Sequence, residues 1–151
     1  VKTRLLAVVL LSTALASGCA REIVNQPQSR QGDDWSLTLR LLTDGPAGWS
    51  SGDVHHTPAR GERFIWAHLT LRNERPVPRR FNFDRCDLDD GREVLVPVLV
   101  DADSFLSAAA SRDPVLAPFE TITRKLIFAF PENRSPTRLS CAPMVIPLPR
   151  F

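Results

Sequence analysis

From Arg63 to Asn73 the chain alternates strictly. Ile65, Ala67, Leu69 and Leu71 fall on one side, and Phe64, Trp66, His68, Thr70 and Arg72 on the other. A two-residue period is the signature of a β-strand with one face buried. Pro76 and Pro78 follow at once in Glu74-Arg75-Pro76-Val77-Pro78, and proline cannot donate to a strand ladder, so the strand must stop there. The same rhythm recurs along the chain. Trp35, Leu37, Leu39 and Leu41 alternate with Ser36, Thr38 and Arg40; Phe81 and Phe83 lead through Asn82 and Asp84 to Cys86 and Leu88; Ile122, Leu126, Phe128 and Phe130 share one side of a strand over 121–130.

The remaining segments fit the same plan. Asp89-Asp90-Gly91 is a hairpin turn, because glycine takes the positive φ of a tight turn readily, and 93–100 is expected to return as its partner. Leu116-Ala117-Pro118-Phe119-Glu120 turns the chain into the 121–130 strand, and Pro131 ends that strand. Further strands are expected at 137–141 and 145–151. Residues 101–112 differ in character: Asp103 is placed to cap a short helix with Phe105, Ala108 and Ala109 on one face. Six or seven short strands separated by turn signals, with little helix, predict an all-β fold, an antiparallel β-sandwich of immunoglobulin-like type. No repeat or second domain is visible.

The N-terminal segment has a different purpose. Lys2 and Arg4 precede an apolar run from Leu5 to Ala16, too short to span a bilayer, which takes about 20 residues. A basic head and a short apolar stretch before small residues form an export signal. The run ends in Leu15-Ala16-Ser17-Gly18-Cys19, which resembles the lipobox of bacterial lipoproteins. The resemblance implies cleavage before Cys19, diacylglycerol on its thiol and acylation of the new amine. It implies a protein lipid-anchored in the cell envelope; Ala20, where Asp would favour inner-membrane retention, points to the outer membrane facing the periplasm in a Gram-negative cell. The expected organisation is a signal peptide at 1–18, the lipidated cysteine with a flexible tether at 19–34, and a sandwich domain at 35–151. The tether expectation rests on Ala20 to Asp34 being polar and without apolar period.

Charge and cysteines agree with that compartment. The chain carries 19 Lys and Arg against 17 Asp and Glu. The signal takes Lys2 and Arg4 and no acid with it, so the mature protein is neutral, and a neutral exported chain gives no reason to invoke nucleic acid. Of three cysteines, Cys19 is committed to lipid. Cys86 and Cys141 remain, outside any Cys-x-x-Cys motif, and in an oxidising compartment a structural disulfide is favoured over a redox or metal-binding pair.

The segment from Gly61 to Cys141 also resembles a telokin-like, immunoglobulin-like domain that recurs on bacterial lipoproteins and secreted proteins. The matching residues are Gly61-Glu62 before a strand ending in Asn73, Phe83 to Leu88 leading to Asp90-Gly91, Leu116-Ala117-Pro118 with Glu120, and Phe128-Ala129-Phe130-Pro131. Phe119 stands where the family usually has glycine. The resemblance implies the fold and no common chemistry.

Each candidate functional residue also has a plainer role. His55 and His56, with His68 further on, invite a metal or small ligand, but adjacent residues on an extended chain point opposite ways, and solvated loop histidines are the simpler reading. Asp84, Asp87, Asp89 and Asp90 fail the calcium-loop pattern, since the twelfth position from Asp87 is Val98. Arg72, Arg75, Arg79 and Arg80 form a loop cluster suited either to an anionic partner or to blunting a sheet edge. In 94–100, Val94, Val96, Val98 and Val100 fall on one face and Leu95 and Leu99 on the other, so the second face needs cover from the chain itself or from a partner. Neither Gly-x-Ser-x-Gly nor His-Glu-x-x-His occurs. The expectation is a non-enzymatic binding or scaffolding lipoprotein without a cofactor. Its partners are the membrane, through Cys19, and an envelope protein or cell-wall component.

Overall fold

The computed structural model describes residues 21–104 and 108–149; the expected signal segment with Cys19, and Phe105 of the expected helix, lie outside the described residues. The strands are β1 (Glu22–Val24), β2 (Gln28–Gln31), β3 (Trp35–Asp44), β4 (Trp49–Ser51), β5 (Val54–His56), β6 (Glu62–Asn73), β7 (Arg79–Arg80), β8 (Cys86–Asp89), β9 (Val94–Leu95), β10 (Leu99–Asp101), β11 (Val115–Leu116), β12 (Thr121–Pro131), β13 (Arg138–Cys141) and β14 (Met144–Pro147).

Two antiparallel sheets face each other. One runs β1-β3-β6-β12-β10, with β2 also paired to β3; the other runs β14-β13-β8-β9. Taken in chain order, β3, β6, β10 and β12 give one sheet and β8, β13 and β14 the other, the strand order of an immunoglobulin-type sandwich, with β9 extending the second sheet. The main-core residues of β6 are the alternating set expected from its period, and Phe64 is buried on the other face. Ile65, Ala67, Leu69 and Leu71 lie inside beside Leu126, Phe128 and Phe130 of β12 and face Leu88, Leu139 and Ile146. Cys86 and Cys141 stand opposite each other in the β8–β13 register and are joined by a disulfide. It closes a sequence separation of 55 residues within one sheet, worth roughly 4 kcal/mol on the chain-entropy model.

Several local expectations change. The polar stretch read as a tether is structured from Arg21 onward: β1 and β2 run antiparallel along the outer edge of β3, from Glu22 opposite Thr43 to Gln31 opposite Ser36. Ile23 and Val24 are buried in the main core. An edge strand whose outer side meets water needs no apolar alternation, which is why its sequence does not announce it. In β3 the register shifts between Leu39 and Leu41, a β-bulge, so Leu42 rather than Leu41 enters the core.

The expected strand through Phe81 and Phe83 becomes a 3-10 turn at Phe83–Arg85, capped by Asn82, whose side chain accepts from the Asp84 amide. The 93–100 return strand divides. Val94 and Leu95 pair with β8, Pro97 interrupts, and Leu99 to Asp101 pair with β12 in the opposite sheet. Among the described residues of 101–112 there is no helix. Asp101 bridges to Ala109, the Ala110 amide donates to the Val100 carbonyl, and Asp103 has φ 54°. The positive φ at Asp103 is incompatible with the start of a right-handed helix, and the pairing with Val100 and Asp101 satisfies backbone groups instead. The last strand ends at Pro147, short of the expected 145–151 extent.

Candidate functional site

The segment that leaves one sheet for the other carries three of the exposed large apolar side chains among the described residues. Its outward side chains are Val94, Val96 and Val98, which are 55, 57 and 45% exposed. Leu95 packs against the main core, and Leu99 packs in a second cluster. Of the two kinds of cover weighed for the Leu95 and Leu99 face, the chain itself supplies it; Val94, Val96 and Val98 are left outside, while Val100 is buried in the core. Arg112 holds the crossover in place: its Nη2 donates to the carbonyls of Pro97 (3.1 Å) and Val98 (2.8 Å), while Nη1 pairs with Asp84. Pro97 itself is buried.

Beside this edge lies the outer face of the larger sheet, which carries two patches with buried centres. The first is apolar. Trp49 from the β4–β5 ribbon covers Phe64 and Ile127, with Trp66, Leu99 and Ala129 around them. A cleft of about 230 Å³ opens between ribbon and sheet, lined by His56, Pro58, Phe64, Val98, Leu99 and Ala129 among others.

The second patch is charged. Lys125 Nζ sits 3.5 Å from Asp101 Oδ1 and 4.3 Å over the Trp66 ring, so the ammonium is held by a buried carboxylate and by the negative face of the indole. His68 Nδ1 lies 2.8 Å from Asp103 Oδ1, and Arg40 pairs with the other carboxylate oxygen. Burial alone would raise the Asp103 pKa, but the His68 hydrogen bond and the charges around it outweigh burial and hold it below its ordinary value. This network was not foreseen from sequence. Its one signal was Lys125, the only lysine after Lys2, set directly before the apolar run Leu126 to Phe130.

The three histidines occupy separate settings. His55 shares a hydrogen bond with Ser50 Oγ (2.7 Å), the His56 ring lies 5.2 Å from the Trp49 ring, and His68 belongs to the Asp103 network. Among the described residues no group of three His, Cys, Asp or Glu is placed to hold a metal.

The arginine cluster is present but mostly neutralised. Arg72 pairs with Glu74 (3.4 Å), Arg75 and Arg79 share Asp34 (3.1 and 3.7 Å), and Arg80 pairs with Asp113 (2.7 Å). Four guanidinium groups over three carboxylates leave little net field to steer an anionic polymer. At the opposite end of the sandwich a cleft of about 240 Å³ is lined by Arg21, Asp44, Arg63, Glu132 and Arg134 among others. Arg63 pairs with Asp44 at 3.0 Å and donates to the Arg134 carbonyl at 2.8 Å, and Arg134 in turn holds Asp90 (2.9 Å) and Glu93 (3.1 Å).

No protein-family model and no curated protein matches the sequence. Solved structures do match in shape. A conserved hypothetical protein of Bacillus anthracis superposes with a TM-score of 0.61 at 13% identity, over 86% of this chain and 97% of that one. An uncharacterized beta-sandwich protein of Clostridium difficile 630 gives 0.50 at 12% identity, over 79% and 83%. A functionally unknown protein of Listeria monocytogenes EGD-e gives 0.50 at 12%, over 77% and 70%. At such identities the likeness is one of fold, and the fold is an antiparallel β-sandwich.

Proposed function

We propose that this chain is a lipid-anchored envelope protein whose immunoglobulin-like, telokin-like sandwich binds another envelope protein and performs no catalysis. The lipobox at Leu15 to Cys19 supports the anchor, since two or three acyl chains hold a protein on a membrane far more firmly than one. The observation that carries the binding role is the row Val94, Val96 and Val98. Alternate side chains point outward along a short segment whose backbone at Pro97 and Val98 is already engaged by Arg112 and Ile127, so a partner would meet it through apolar side chains rather than as an added strand. The His56–Leu99 cleft opens beside Val98 and offers a place for one apolar side chain of that partner.

A photo-reactive side chain at Val96 tests this in the native envelope, with Val145 on the opposite edge as control. One dominant protein adduct from position 96, absent from position 145, is the expected result. Identical adduct patterns at both positions, or none at 96, would refute docking at this edge.

A further inference from the structure

We infer that the Arg21 end of the sandwich rests directly on the bilayer, and that its cleft receives the headgroup of a zwitterionic phospholipid. This rests on the lipoprotein reading and adds an orientation and a lipid contact to it. Cys19 is two residues from Arg21, so its lipid attaches within about 7 Å of Arg21 whatever path the chain takes. Arg21 is fixed to the sheet: its carbonyl accepts from the Asp44 amide, and Glu22 enters β1 opposite Thr43. There is thus almost no slack between anchor and domain, in contrast to the tether expected from composition.

The end that meets the membrane is defined by the same register. It holds the last residues of β3, the first of β6 and the loop after β12, and these elements line the cleft of Arg21, Asp44, Arg63, Glu132 and Arg134. Charge decides the occupant. Arg63 and Asp44 are paired with each other, though Arg63 Nε and Asp44 Oδ1 keep no hydrogen-bond partner among the described residues, and Arg134 is turned to Asp90 and Glu93. Arg21 and Glu132 are exposed and make no ion pair among the described residues. One free cation and one free anion beside a cleft match the phosphate and ammonium of a zwitterionic headgroup, whereas an anionic headgroup would find no net positive field. β6 is 12 residues long, so the far end, with Val77 and the arginine cluster, stands about 40 Å above the surface.

The test uses the full acylated protein in phosphatidylethanolamine vesicles that contain a lipid with a nitroxide on its headgroup. A fluorescent side chain is placed at Asn133, exposed on the cleft wall, or at Val77 at the far end. Quenching several-fold stronger at 133 than at 77 is expected, and Arg21→Glu should reduce it. Equal quenching, or stronger quenching at 77, overturns the orientation while leaving the lipoprotein reading intact. Quenching at 133 that is unaffected by Arg21→Glu or by replacing the zwitterionic lipid overturns headgroup binding. Mass spectrometry that finds Cys19 without lipid overturns both readings together.

Discussion

Asn73 shows how much a single buried side chain can organise. Its Nδ2 donates to the carbonyls of Val77 (2.8 Å), Leu116 (3.3 Å) and Ala117 (2.9 Å), and its Oδ1 accepts from the Arg75 amide (3.0 Å). It ends β6 and staples two loops that are distant in sequence. Asn73→Ala leaves buried carbonyls without a donor, at roughly 1–3 kcal/mol for an unsatisfied group, so a loss of about 2–4 kcal/mol is expected from the urea midpoint. Phe119 presents the reverse case. It sits at φ 59° in the 117–120 turn and is half exposed, a conformation that costs a bulky residue about 1–2 kcal/mol. Phe119→Gly relieves that strain and gives back part of it in chain entropy. A rise in stability of about 0.5–1 kcal/mol is expected, and a lower melting temperature would contradict the strain. Both features lie in stretches that the sequence marked, a strand ending in Asn and a turn lacking its usual glycine. The partners of Asn73 were not legible, because they come from loops joined only by the fold.

Among the elements, the long central strands were readable and the peripheral ones were not. β6 and β12 have both neighbours in the sheet and one face in the core, so burial writes itself into their period. β1 and β2 lie at an edge, where Ile23 and Val24 alone meet the core. A tether could be removed without effect, but deletion of residues 21–31 strips the edge of β3 and exposes two apolar side chains, each worth about 1.5–3 kcal/mol. A fall in stability of about 3 kcal/mol or more is therefore expected from chemical denaturation. The β8–β9 hairpin carries a pH signature of its own. The Asp90 carboxylate accepts from the Arg92 amide, from the Glu93 amide and from Arg134, and these hold its pKa at about 2. A depressed folded pKa means that its stabilisation is complete above the ordinary carboxylate value of about 4 and is lost as the pH falls through about 2. Asp90→Asn should flatten the stability curve across that window and leave the rest of the pH profile in place.

At the scale of the molecule, the proposed anchor and the proposed binding edge would act on each other. Val94 pairs with Asp89 and Val98 donates to Ile127, so the valine edge occupies the lower half of the sandwich, nearer the Arg21 end than the arginine cluster. The sequence showed the apolar run but not which side would face out, because the sheet change at Pro97 exposes the valines and places Leu95 and Leu99 inward. A partner held in the same membrane meets this edge at a high effective concentration, and tethering of that kind commonly multiplies apparent affinity by about 100-fold or more. Cys19→Ala should release the protein into the soluble fraction and cut the Val96 cross-link to its partner at least about tenfold, a conservative share of that gain. The melting temperature of the domain should stay the same, because the substitution leaves every residue of the buried core unchanged. A soluble variant that still cross-links at full yield would mean that the edge binds tightly without the anchor; continued pelleting with membranes would mean that the lipid on Cys19 is not what holds the protein there.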